Sequence, residues 1–84
     1  MVFEETRKAI RETLKKREIR IQELRLREQA DALEEASSNA LRAAEMANSI
    51  REFETAEELL DDSARLSAEA GEVRMQITQL RGER

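Results

Sequence analysis

Four carboxylates, Glu57, Glu58, Asp61 and Asp62, form the densest cluster of chemically capable side chains in this chain. On a helix, the i, i+4 spacing pairs Glu57 with Asp61 and Glu58 with Asp62. Such pairs can hold Mg²⁺ or Ca²⁺ weakly through water, but the loop that supplies the ligands of a true calcium site is missing. A solvated acidic face is the expected reading. Nucleophilic chemistry is poorly served, because the chain has neither Cys nor His. Ser37, Ser38, Ser49, Ser63 and Ser67 therefore have no imidazole to activate them. Zinc would need Cys or His ligands, and a carboxylate di-iron bundle would need Glu-x-x-His. No glycine-rich loop is present to cradle phosphate. We expect no catalytic residue, no metal, no cofactor and no small-molecule substrate, and we do not expect an enzyme.

The second cluster is basic. Lys15, Lys16, Arg17, Arg20, Arg25 and Arg27 could lie along nucleic-acid phosphates, with an affinity that falls with salt. Glu12, Glu18, Glu23 and Glu28 are interleaved with them. No aromatic, Asn or Gln array is placed to read bases. Glu23 with Arg27, and Arg20 with Glu23, instead have the spacing of helix-stabilising pairs. A nucleic-acid-binding hairpin dimer is thus the alternative reading. Membrane-surface binding is less favoured, because the polar face is not purely basic.

Side chains like these must be positioned by helices. The 84 residues contain no Pro and only two Gly, and 40% are charged. That composition suits long amphipathic helices. Phe3 and Phe53 are the only aromatics, so a core must be built from Leu, Ile, Ala and Met. No stretch is apolar enough for a membrane span, which needs roughly 20 residues. The opening residues have neither the basic nor the apolar region of a signal peptide. Absence of Cys fits a reducing cytoplasm, the expected location.

Charge is segregated along the chain. Residues 1–28 carry nine Lys or Arg against six Asp or Glu, residues 29–72 three against twelve, and residues 73–84 three against one. The net −4 is therefore +3, −9 and +2 in order. Solvated helix faces explain this, and so does attraction between segments of one or two chains.

Four apolar stripes run at helical spacing. The first is Phe3, Ile10, Leu14, Ile21 and Leu24. The second, Ile19, Leu26, Ala30, Leu33, Ser37, Ala40, Ala44 and Ala47, is nearly a pure heptad seam. At 100° per residue these two lie on roughly opposite sides of one helix. The third is Met46, Ile50, Phe53, Leu60 and Ala64. The last, Leu59, Ser63, Leu66, Ala70, Val73, Ile77 and Leu80, is again a heptad seam.

Two turn positions compete. Ser37-Ser38-Asn39 would set basic 7–27 against acidic 51–71, yet the second stripe keeps its phase there. Between Asn48 and Thr55 the phase breaks, Asn48 and Ser49 are poor helix-interior residues, and Ser49–Glu52 and Thr55–Glu58 both fit a capping box. The second position is preferred. It lays seam 59–80 antiparallel on seam 26–47, with large residues meeting small ones. Ala70-Gly71-Glu72 is a further weak point, and Gly82 is expected to end the last helix.

Ala40 to Gly71 resembles one tetratricopeptide repeat at Phe53, Ala56, Leu60, Ala64 and Gly71. The first-helix Trp and Gly signature is missing, and residues 1–39 do not repeat the pattern. One repeat cannot stand alone, so the likeness reflects helical-hairpin spacing. In general shape the expected hairpin is also similar to small helical co-chaperones of bacterial secretion systems, a likeness of fold alone.

The expected fold is all-α: a single domain over 1–84, with a helix over about 3–47, a turn over about 48–54 and a helix over about 55–81. It is an antiparallel, coiled-coil-like hairpin of two long helices, with three as the variant, that assembles into a bundle. The expected function is that of a small interaction protein: an adaptor, an assembly subunit or a chaperone-like binder. Phe3, Ile10, Leu14, Ile21 and Leu24 form its expected partner surface, because seam 59–80 already covers seam 26–47. The partner is a second copy or another protein.

Overall fold

Without Pro, and with apolar residues recurring every three or four positions, nothing stops a helix from running through the first half of the chain. The computed structural model describes residues 2–82, and α1 spans Val2–Ser49 and α2 spans Phe53–Gly82. The two pack antiparallel as a hairpin, and no strand occurs among the described residues. The rod measures 75 × 14 × 11 Å.

The Ser37-Ser38-Asn39 alternative is not used: α1 continues through it. Ser37 satisfies its hydroxyl across the hairpin instead of breaking the helix. The Ala70-Gly71-Glu72 weak point is also continuous helix, because both of its flanks are pinned by buried Ala70 and Val73. The chain reverses at Ile50, Arg51 and Glu52.

Arg51 has a φ of 63°, the left-handed conformation usually given to Gly. Its N–H donates to the Asn48 carbonyl at 3.1 Å, and the Glu52 N–H donates to the Ala47 carbonyl at 2.8 Å. These are the two bonds of a Schellman cap, and they satisfy carbonyls that the end of α1 would otherwise leave open. Neither capping box forms at a helix start. The Ser49 hydroxyl donates back to the Met46 carbonyl at 2.7 Å, a local bond that competes with the helix ladder. Thr55 lies inside α2, whose first bond runs from the Ala56 N–H to the Glu52 carbonyl.

The core is the pair of heptad seams. Ile19, Ala30, Ala44, Ala47, Ala56, Ala70, Val73 and Ile77 are buried, and Leu26, Leu33, Leu59, Leu66 and Leu80 are half-buried between them. Among the described residues no large side chain is completely enclosed. Two helices cover only one stripe of each other, so this core is thin. Small residues in the seam, Ser37 against Ser63 among them, let the backbones approach closely.

Candidate functional site

α2 does not cover all of α1. Arg81, one residue from the end of α2, reaches Glu23 with its Nε 2.9 Å from Oε1. Residues 3–18 of α1 therefore project beyond the hairpin, and every one of them is exposed. At 1.5 Å per residue this single-helix extension is about 24 Å long.

The first apolar stripe lies along it. Phe3 is 80% exposed, Ile10 54%, Leu14 56%, Ile21 40% and Leu24 54%. Ile21 and Leu24 sit where α2 is alongside, yet they remain exposed: at 100° per residue Ile21 lies roughly opposite buried Ile19 and Glu23, and Leu24 lies about 100° round the helix from Glu23. A shallow groove lined by Thr6, Ala9, Ile10, Thr13 and Leu14 runs over the middle of the extension. The five stripe residues thus share one continuous, solvent-facing side of α1. Isolated exposed apolar residues are ordinary, but a row of this length is not. The third stripe is also exposed: Met46, Ile50 and Phe53 stand open around the turn.

The six basic residues are divided by the fold. Lys15, Lys16 and Arg17 are exposed on the extension. Three consecutive residues span about 200° of a helix, so they make no single basic face. Arg20 and Arg27 turn toward the end of the hairpin, where with Glu23, Leu24 and Arg81 they line a depression. Arg27 donates to Glu23 Oε1 at 3.0 Å.

Glu23 is a feature that apolar periodicity passes over. It occupies a seam position between Ile19 and Leu26 and is only 4% exposed. A buried carboxylate requires partners, and Arg27 from its own helix and Arg81 from α2 supply them. The Arg27 spacing of i+4 was the one signal available in the sequence.

Further along the same flank, Arg74 Nε bonds Glu34 at 2.7 Å and Arg74 Nη2 bonds Asp31 at 3.2 Å. The hydrogen bond from Arg74 holds the Glu34 carboxyl below its ordinary value, against an opposing effect of desolvation, and the Arg74 charge adds a smaller push in the same downward direction. The same contacts raise Arg74. In the acidic cluster, Asp62 is engaged by Arg65 at 2.9 Å. Among the described residues no group of three or more His, Cys, Asp or Glu is arranged to hold a metal ion. No described helix is long and apolar enough to cross a membrane.

The fold and its surface define an antiparallel helical hairpin with a projecting amphipathic helix. Comparison with known protein families, with curated proteins and with solved structures finds no match for this chain.

Proposed function

We propose that this chain is a non-enzymatic interaction protein that works by packing an amphipathic helix against a protein partner. One observation carries the reading: Phe3, Ile10, Leu14, Ile21 and Leu24 form an exposed apolar row on the side of α1 that α2 leaves uncovered. Water contact along such a row is unfavourable, and a second helix laid into it removes that contact. Each side chain buried there contributes on the order of 1.5–3 kcal/mol before the costs of association. The thin hairpin core supports the same reading, since a small two-helix unit gains much from further burial.

Leu14→Glu with Ile21→Glu tests it. Both residues are exposed in the hairpin, so the double variant should keep its helicity and lose association, measured by circular dichroism and light scattering. If the variant unfolds as a monomer, the row is intrachain core and the reading is wrong. Salt-sensitive binding to random duplex, lost in Lys15/Lys16/Arg17→Glu while Leu14→Glu with Ile21→Glu has no effect, would move the function to nucleic acid.

A further inference from the structure

The spacing of four residues of the exposed row, with Leu24 lying beyond them, identifies the occupant. Phe3, Ile10, Leu14 and Ile21 are separated by seven, four and seven residues. That sequence of spacings reads the same in both directions. A second helix laid antiparallel with the same four residues places Phe3 level with Ile21, and Ile10 level with Leu14, in both halves of the pair. We propose that the row is a two-fold symmetric surface on which a second copy of this chain docks, α1 against α1 and antiparallel, centred between Ile10 and Leu14. This rests on the interaction reading above and commits it to self-association.

Charge follows the same register. The hairpin itself shows how flanking residues meet across an antiparallel pair: Arg74 of α2 reaches Asp31 of α1, five positions past the level set by Ser37 and Ser63. The same diagonal offset between two copies brings Arg11 beside Glu18 of the second copy and Glu4 beside Arg25 of the second copy. Symmetry makes each pair twice. All four residues are exposed and none has a cross-helix ion pair within the hairpin. Such pairs add little affinity, but they select orientation and register.

Sterics also permit the arrangement. The row lies on the face of α1 opposite the seam that holds α2, so the incoming extension packs on α1 of the second copy without meeting its α2. Two copies then form a longer rod, with hairpins at both ends and a two-helix waist. An isologous contact of this kind closes on itself and does not grow into a filament.

One layer opposes the pairing. Arg7 falls on the row between Phe3 and Ile10, Arg17 falls between Leu14 and Ile21, and the register sets Arg7 level with Arg17 of the second copy. Their stems can lie over apolar neighbours while the guanidinium groups reach solvent. Their like charge still weakens the dimer, and this gives a test specific to the register. Arg17→Glu replaces two repulsive layers with two opposite-charge pairs, so the dimer should tighten by roughly tenfold in sedimentation equilibrium. In any other register a new carboxylate on the apolar row weakens association, and that result would overturn the proposal.

Cross-linking supplies the second measurement, made simple by the lack of native Cys. Ile10→Cys and Leu14→Cys chains, oxidised as a mixture, should yield a linked dimer of one chain of each. Neither chain alone should link. Linkage of Ile10→Cys to itself means a parallel pair, or an antiparallel pair centred on Ile10, and overturns the proposal. A wild-type monomer that binds a different protein through the row, with binding abolished by Leu14→Glu with Ile21→Glu, overturns self-association and leaves the interaction function standing. A monomer in which those substitutions change no binding overturns both.

Discussion

Ser37 and Ser63 exchange hydrogen bonds across the hairpin. The Ser37 hydroxyl lies 2.8 Å from the Ser63 carbonyl oxygen, the Ser63 hydroxyl 3.0 Å from the Ser37 carbonyl oxygen, and the two hydroxyls 3.0 Å from each other. A side chain can reach the opposite backbone so directly only where the helices are close. The pair therefore marks a tight approach in the middle of the seam and fixes which residues stand level. Replacing either Ser by Ala should cost less than about 1 kcal/mol, because the lost hydrogen bond is partly offset by better helix propensity. Ser37→Leu should cost about 1–3 kcal/mol by forcing the helices apart. Urea unfolding of the three variants checks the ordering.

Arg51 and Gly71 are misplaced relative to local preference, in opposite senses. Arg51 holds a left-handed φ, and Gly71 sits inside α2 with nothing within 4 Å of where a Cβ would stand. Gly at position 51 relieves backbone strain, although it adds freedom to the unfolded chain. Arg51→Gly should stabilise the hairpin by up to about 1 kcal/mol. Gly71→Ala should stabilise it by about 0.5–1 kcal/mol, since Ala removes an entropic penalty and meets no neighbour. Both should shift the denaturant midpoint at constant slope. A midpoint that falls in Gly71→Ala would mean that α2 needs a flexible point there.

The seams were legible because their logic is purely apolar spacing. Ala30, Ala44 and Ala47 on one helix and Ala70, Val73 and Ile77 on the other recur at three and four residues, and all are buried. The exposed row was legible for the same reason: with one seam per helix spent on the hairpin, the remaining stripe had to face outward. The cap at Arg51 was not legible. Its signal is normally a Gly, and here an Arg takes the strained position. Ser49 and Thr55 suggested capping boxes because their spacing to Glu52 and Glu58 matches, but the Glu-rich surroundings make that spacing common by composition. In the sequence Glu23 shows only the spacing of a helix-stabilising partner of Arg27 and Arg20, because a carboxylate in a seam has no apolar signature. Its burial depends on Arg81, 58 positions away, which no local pattern connects to it.

The Glu23 cluster should be replaceable. Arg27 and Arg81 each keep about half of their side-chain surface in water, whereas Glu23 has lost nearly all of its own. Removing the carboxylate therefore leaves two hydrated arginines and no buried charge. Glu23→Leu should be neutral or stabilising by about 1–4 kcal/mol. A loss of more than about 1 kcal/mol in thermal unfolding would show that the carboxylate holds the open end of the hairpin together in a way apolar packing cannot.

Acid should weaken the contact between Arg74 and Glu34 in a defined direction. The Glu34 carboxyl is held below its ordinary value of 4.5 when folded. Its contribution is thus fully present above pH 4.5 and is lost as pH falls through the lowered folded value. Both partners are well exposed, so the effect is small and screened by salt. Arg74→Met should flatten the melting temperature between those two pH values relative to wild type. An unchanged acid slope would mean that other carboxylates account for it.

The slenderness of the hairpin governs how the molecule behaves in flow and on a column. Its radius of gyration is 20.6 Å, against about 12 Å for a compact globule of the same chain length. Frictional drag rises with that elongation, so the monomer elutes from a gel-filtration column ahead of globular standards of its 9.7 kDa mass. Its tumbling is strongly anisotropic, fast about the long axis and slow end over end. Amide vectors in both helices lie nearly parallel to that axis, so they relax as though they belonged to a much heavier protein.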